Sequence, residues 1–113
     1  MAAGAPPPEG LAQSVADALG EVFTSGPGRV WVRLETIDRH HYAENGSTLD
    51  DGELPVFVRV LHAGLPAVEA LAVEAGTIST RVAEVVGRSP DRVHVEYAPP
   101  GAGRIAFGGR LVT

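Results

Sequence analysis

The chain has 113 residues, enough for one domain around a single core. It is 44% hydrophobic and 20% charged, an ordinary globular balance, and no apolar run approaches the ~18 residues of a membrane span. Nine arginines and no lysine against fourteen acids give a formal charge of −5, which disfavours nucleic acid or an anionic membrane as partner, and the absence of cysteine excludes disulfides, thiolate chemistry and cysteine-ligated zinc.

Residues 1–8 hold three prolines among small residues and read as a leader, with no basic region and apolar core of the kind a secretory signal needs. Together with the lack of cysteine this fits a cytoplasmic address. Residues 9–37 form a first α-β unit. Leu11, Val15, Leu19, Val22 and Phe23 make one helical stripe, Gly26-Pro27-Gly28 stops it, and Val30, Val32 and Leu34 then alternate with Trp31, Arg33 and Glu35 as a strand. Residues 38–54, with Asn45-Gly46 and Asp51-Gly52 as turn signals, read as a long loop.

A second, β-α-β unit spans residues 55–98. Val56, Val58 and Val60 alternate with Phe57, Arg59 and Leu61, so the strand carries apolar groups on both faces. Gly64-Leu65-Pro66 opens a helix with a long stripe from Val68 through Leu71, Ala75, Ile78 and Val82 to Val86, and Gly87 ends it. Ser89-Pro90-Asp91 makes a turn, and Val93, Val95 and Tyr97 alternate with His94 and Glu96. Residues 99–113 read as a C-terminal strand or hairpin with Gly108-Gly109 inside it.

The two units are related. Residues 16–32, ADALGEVFTSGPGRVWV, reappear in altered form as residues 79–95, STRVAEVVGRSPDRVHV, at a constant offset of 63. Glu21 meets Glu84, Pro27 meets Pro90, Arg29 meets Arg92, and Val30 and Val32 meet Val93 and Val95. Shifted back by the same offset, the strand 55–62 falls ahead of residue 1. The first repeat therefore lacks its opening strand. The order is a missing β, then α-β, loop, β-α-β and a short β tail, with right-handed crossovers placing both helices on one face. The other face mixes Trp31, Arg33, Glu35, Phe57, Arg59, His94 and Glu96, and packing of sheets in an oligomer would cover it.

This tandem pattern resembles the tautomerase superfamily, in the double-length form of the macrophage migration inhibitory factor and 5-carboxymethyl-2-hydroxymuconate isomerase type. The stretch GRSPDRVHVEYAPPGAGRIAFGGRLV, residues 87–112, is similar to the C-terminal strand and hairpin of 4-oxalocrotonate tautomerase-like proteins. The resemblance implies a single α/β (α+β) domain over residues 1–113. Its mixed four-stranded sheet would carry two helices on one face, with the first strand missing or replaced, and the assembly would be a homotrimer. It also implies chemistry by an N-terminal proline amine of lowered pKa, moving protons along keto–enol systems of small 2-keto acids whose carboxylates arginines hold. The chain departs from that pattern at its centre. Residue 2 is alanine, and Pro55, the proline at a matching strand start, has an amide nitrogen without basicity. The dehalogenase and decarboxylase types place arginines just after the second unit's first strand, whereas here Leu61-His62-Ala63-Gly64-Leu65-Pro66 has none.

The residues left to carry chemistry each have two readings. The α-amino group of Ala2, exposed by methionine removal, is a weak base in a pocket or a frayed terminus. Arg33 and Arg59 recognise carboxylates or pair with Glu35 or Glu96 across subunits. Trp31 lines a pocket or an interface, and Arg104 and Phe107 border a pocket or dock the tail on the next subunit. His94 is a proton carrier or an interface histidine. The adjacent His40 and His41 have no third ligand at metal spacing, Tyr42 and Asn45 sit in a turn or a loop folding over a neighbour, and the glycine clusters lack the strand-to-helix context of a phosphate loop. No metal or cofactor is called for.

Three functions stay open. One is a tautomerase relative with weak or lost activity, in which Arg33, His94 or Glu96 takes over proton handling. Another is a non-catalytic trimeric scaffold or a binder of a small carboxylate. The last is an ordinary proline-dependent tautomerase whose start lies upstream. The vacant strand position is expected to be covered by the 38–54 loop, the leader or a neighbouring subunit, because an open sheet edge invites pairing.

Overall fold

The computed structural model describes residues 7–113; the expectations for the start of the leader and for Ala2 fall outside them. Among the described residues the regular elements run α1 (Leu11–Val22), β1 (Val56–Val60), α2 (Val68–Val86), β2 (Val93–Tyr97), β3 (Ala106–Phe107) and β4 (Arg110–Leu111), with single helical turns at Arg39–His41, Asp51–Glu53 and Pro90–Arg92. Among these residues no helix is long and apolar enough to cross a membrane.

The helical stripes become the core. Val15 and Leu19 of α1 meet Ile78, Val82 and Ala83 of α2, and this pair of helices packs on Val56 of β1 and Val93 of β2. Each fully buried aliphatic side chain contributes about 1.5–3 kcal/mol. Arg81 and Glu21 bridge the two helices on the surface at 2.9 Å, a contact of small worth at that exposure. Helix α1 stops at Val22, before Gly26. Thr24 takes a left-handed φ of 51°, and the Ser25 N–H reaches back to the Gly20 carbonyl at 2.9 Å. Helix α2 ends at Gly87 in the same left-handed region, where no side chain has to be accommodated.

β1 and β2 are parallel, in register from Val56 opposite Val93 to Val60 opposite Tyr97. The period of two turns the valines of both strands toward the helices and leaves Phe57, Arg59, His94 and Glu96 on the exposed face. β3 and β4 form a hairpin whose two central residues, Gly108 and Gly109, have φ of 58° and 83°. Positive φ at both positions is what a two-residue hairpin turn matching strand twist demands. N–H groups of Ala98 and Gly101 bond the carbonyls of Val60 and His62 and tie the tail to the end of β1. The Phe107 ring meets Trp31 edge-on at 4.7 Å, so the tail folds back over its own chain.

The 38–54 loop is anchored at the β2 end of the sheet. The Arg88 guanidinium donates to the Leu54 carbonyl at 3.1 Å, and that of Arg92 reaches Glu44 at 2.9 Å. Tyr42 donates to the same Glu44 carboxylate, which raises the phenol's pKa; that bond and Arg92 hold Glu44 below the usual carboxylate range. Residues 30–36 depart from the expected strand. Val30 and Val32 do pack on the core while Trp31 and Arg33 point outward, so the alternation is present. Among the described residues, however, the ladders are β1 with β2 and β3 with β4, and no backbone hydrogen bond reaches residues 30–36. A strand needs a neighbour, and among the described residues no segment pairs with 30–36.

Candidate functional site

On the face away from the helices, an open cavity of about 920 Å³ lies between residues 31–35, β1 and the tail. The extended 31–35 segment supplies Trp31, Arg33 and Glu35, and β1 supplies Phe57 and Arg59. The turn before the hairpin supplies Arg104. The alternation explains the convergence: odd-numbered residues of both segments point to the same side. Four of the five substrate-binding candidates, Trp31, Arg33, Arg59 and Arg104, thus line one cavity, and the fifth, Phe107, borders it through its contact with Trp31.

Three guanidinium groups face a single carboxylate. Arg33 Nε lies 3.4 Å from Glu35 Oε1 with both side chains mostly exposed, so solvent screens the pair. Arg59 stands opposite Glu96 in the β1–β2 register, yet among the described residues neither Arg59 nor Arg104 forms an ion pair. The cavity therefore carries surplus positive charge in a chain of net −5.

The proton-handling candidates fare differently. Arg33 is in the cavity, but a guanidinium stays protonated and cannot serve as a base. His94 and Glu96 are exposed on β2 outside the lining, with the His94 ring 5.4 Å from Phe57. Pro55 is fully buried. Among the described residues no three histidines or acids gather as metal ligands.

A second cluster, not among the sequence candidates, sits on the helix side. Glu74 Oε2 accepts from the Tyr97 hydroxyl at 2.6 Å and lies 2.9 Å from His62 Nε2. The His62 ring stacks on Tyr97 and takes the edge of Phe23. An ionised carboxylate can only accept, so His62 Nε2 is assigned as the donor in this contact. The signal was present in the alternation. His62 continues the inward series Val56, Val58, Val60, and Tyr97 continues Val93, Val95, so both polar rings point toward α2.

Burial, and after it the hydrogen bond to Glu74, push the Tyr97 phenol above the ordinary value of 10.0. With the folded value raised, the neutral phenol's contribution to stability is full below about pH 10, the unfolded value, and is lost as the pH rises beyond it. Tyr97→Phe is therefore expected to flatten the alkaline limb of the stability curve, followed by urea unfolding from pH 9 to 11. Parallel losses in both proteins would show that the phenol does not couple to folding.

Neither a family model nor a curated protein sequence matches the chain. Solved structures do. Pt0534, crystallised after inactivation by 2-oxo-3-pentynoate, superposes with a TM-score of 0.75 at 18% identity, covering 98% of this chain and 90% of that one. This chain has the tautomerase fold. Macrophage migration inhibitory factor from Oncomelania hupensis aligns over the same shares, 98% and 90%, at a TM-score of 0.67 and 18% identity. The symmetric trimer of fused 4-OT aligns at 0.63 and 17% identity over 90% of this chain and 80% of that one. The tautomerase fold accounts for the two repeated units and for both helices lying on one side of the sheet.

Proposed function

We propose that this protein is a tautomerase-superfamily relative that binds small 2-oxo or unsaturated carboxylates in the Trp31 cavity, with keto–enol isomerisation weak or lost. One observation carries the reading: Arg33, Arg59 and Arg104 converge on a cavity walled by Trp31 and Phe57. Planar guanidinium groups grip carboxylates with two parallel hydrogen bonds and draw electron density from the adjacent carbon. The apolar rings would cover the rest of a small unsaturated acid. The inactivator of Pt0534 is by its name a 2-oxo carboxylate, which supports the same ligand class here.

The three arginines would supply recognition, whereas among the described residues the lining offers no histidine and only the exposed Glu35 as a base. A positioned acid–base group contributes about 10²–10⁴-fold in rate, and among the described residues the lining supplies none but Glu35. The exposed face, where Trp31 is 72% and Leu61 49% accessible, suits burial in a cytoplasmic homotrimer like that of fused 4-OT. Titration calorimetry with phenylenolpyruvate, beside its ketonisation assay, tests the proposal. Saturable binding with little turnover is expected; no binding overturns it. A variant extended at its N-terminus by a Met-Pro strand reports whether the base alone is lacking.

A further inference from the structure

The 38–54 loop holds the chain's single asparagine, Asn45, and Gly46 follows it. The two form the exposed centre of a turn in which the Ser47 N–H points back to the Glu44 carbonyl at 3.4 Å. We propose that Asn45 and Gly46 form a self-modification site, at which the backbone expels the side-chain amide and thereby unfastens the loop from Arg92.

The step needs only water. The Gly46 nitrogen gives up its proton and attacks Cγ of Asn45. The new N–Cγ bond closes a cyclic imide, the Cγ–Nδ2 bond breaks, and ammonia leaves with the proton. Water then opens either imide carbonyl, leaving an aspartate or its β-linked isomer at position 45. The local structure favours this attack. A glycine nitrogen has no adjacent side chain to shield it, and no heavy atom lies within 4 Å of where a Cβ of Gly46 would stand. Among the described residues the Gly46 N–H donates no backbone hydrogen bond, so closing the ring breaks none. The loop's side-chain bonds pass Asn45 by, running from Arg39 to the Leu49 carbonyl and from Tyr42 to Glu44. Asp51-Gly52 has the same spacing, but Asp51 is paired with Arg39, and its cyclisation ends at the original mass.

The site adjoins the loop's fastening. Arg92 donates to the Glu44 carboxylate at 2.9 Å and also to the Glu53 carbonyl, so one side chain pins the middle and the end of the loop. A carboxylate newly made at position 45 is the chain neighbour of Glu44. It competes for Arg92 and repels Glu44. The β-linked product also reroutes the backbone through the side chain and lengthens the path between Glu44 and Glu53, the span that Arg92 bridges. The modified loop therefore opens locally at lower cost. Its Tyr42 ring lies 6.0 Å from Phe57, so the loosened segment is the one that leans on the exposed face of the sheet.

The test ages the whole chain at mildly alkaline pH, folded and in urea, and weighs its peptides by mass spectrometry. Exchange of NH2 for OH raises the mass of the peptide containing position 45, and no other asparagine contributes. The folded chain is expected to gain mass at a rate within about 10-fold of the unfolded one, because opening an exposed loop costs little. Gly46→Ala should slow the gain by roughly 10-fold by shielding the nitrogen. Amide exchange over residues 38–54 is expected to quicken at least about 10-fold in the aged protein, and likewise in fresh Arg92→Ala. A folded rate more than about 10-fold below the unfolded one would overturn the proposal. So would aged protein, or Arg92→Ala, that exchanges over this loop like the fresh wild type.

Discussion

Ile78→Ala is expected to lower the unfolding free energy by about 2–5 kcal/mol, the range for an Ile-to-Ala truncation in a core that cannot collapse on the cavity. Ile78 is 0% exposed at the middle of α2 and belongs to the one cluster that joins both helices to both long strands. That cluster is small, and the face of the sheet opposite it is open, so little other burial shares the load. Against a total stability of about 5–15 kcal/mol for a domain of this kind, the loss is a large fraction. Urea denaturation followed by far-UV circular dichroism measures it. Val73→Ala on the same helix, 72% exposed, is the control and should stay within about 0.5 kcal/mol. A core that tolerated Ile78→Ala at that level would mean the two helices are not packed as described.

Replacing Arg59 and Arg104 together by alanine is expected to reduce carboxylate affinity by at least about 100-fold, with each single change costing about 10-fold. A hydrogen bond to a charged group is worth about 1.5–3 kcal/mol, and these two guanidinium groups have no carboxylate of their own to fall back on among the described residues. Arg33 is the weaker test, since Glu35 sits beside it at 3.4 Å. Lysine at either position keeps the charge but loses the planar fork, so Arg59→Lys should recover only part of the affinity. Calorimetric titration with phenylenolpyruvate at low and high salt separates the bidentate contribution from the screened long-range one. Unchanged affinity in the double variant would place the ligand elsewhere.

Much of the scaffold was legible because its signals are local. The α2 stripe from Val68 to Val86, its stop at Gly87, and the alternation in β1 and β2 all describe one element at a time. The glycine pair in the tail was equally readable, since a two-residue hairpin turn demands positive φ at both positions. Residues 30–36 show where such reasoning stops. Their pattern is that of a strand, but pairing is a property of two segments, and among the described residues no segment pairs with them. The site divides along the same line. Trp31, Arg33, Arg59 and Arg104 could be nominated singly, yet nothing in their spacing says that they share a cavity. His94 and Glu96 looked equivalent to them and lie outside its lining.

The sequence by itself determined the doubled unit, its two helices, the strands β1 and β2, and the excess of arginine over other cations. These follow from periodicity, turn chemistry and composition, which act over a few residues. Tertiary structure alone decided that three arginines meet around Trp31 and that Glu74 reaches across from α2 to His62 and Tyr97. Those arrangements join groups twelve to more than seventy positions apart in sequence, and only the packing of helices on the sheet sets their distances.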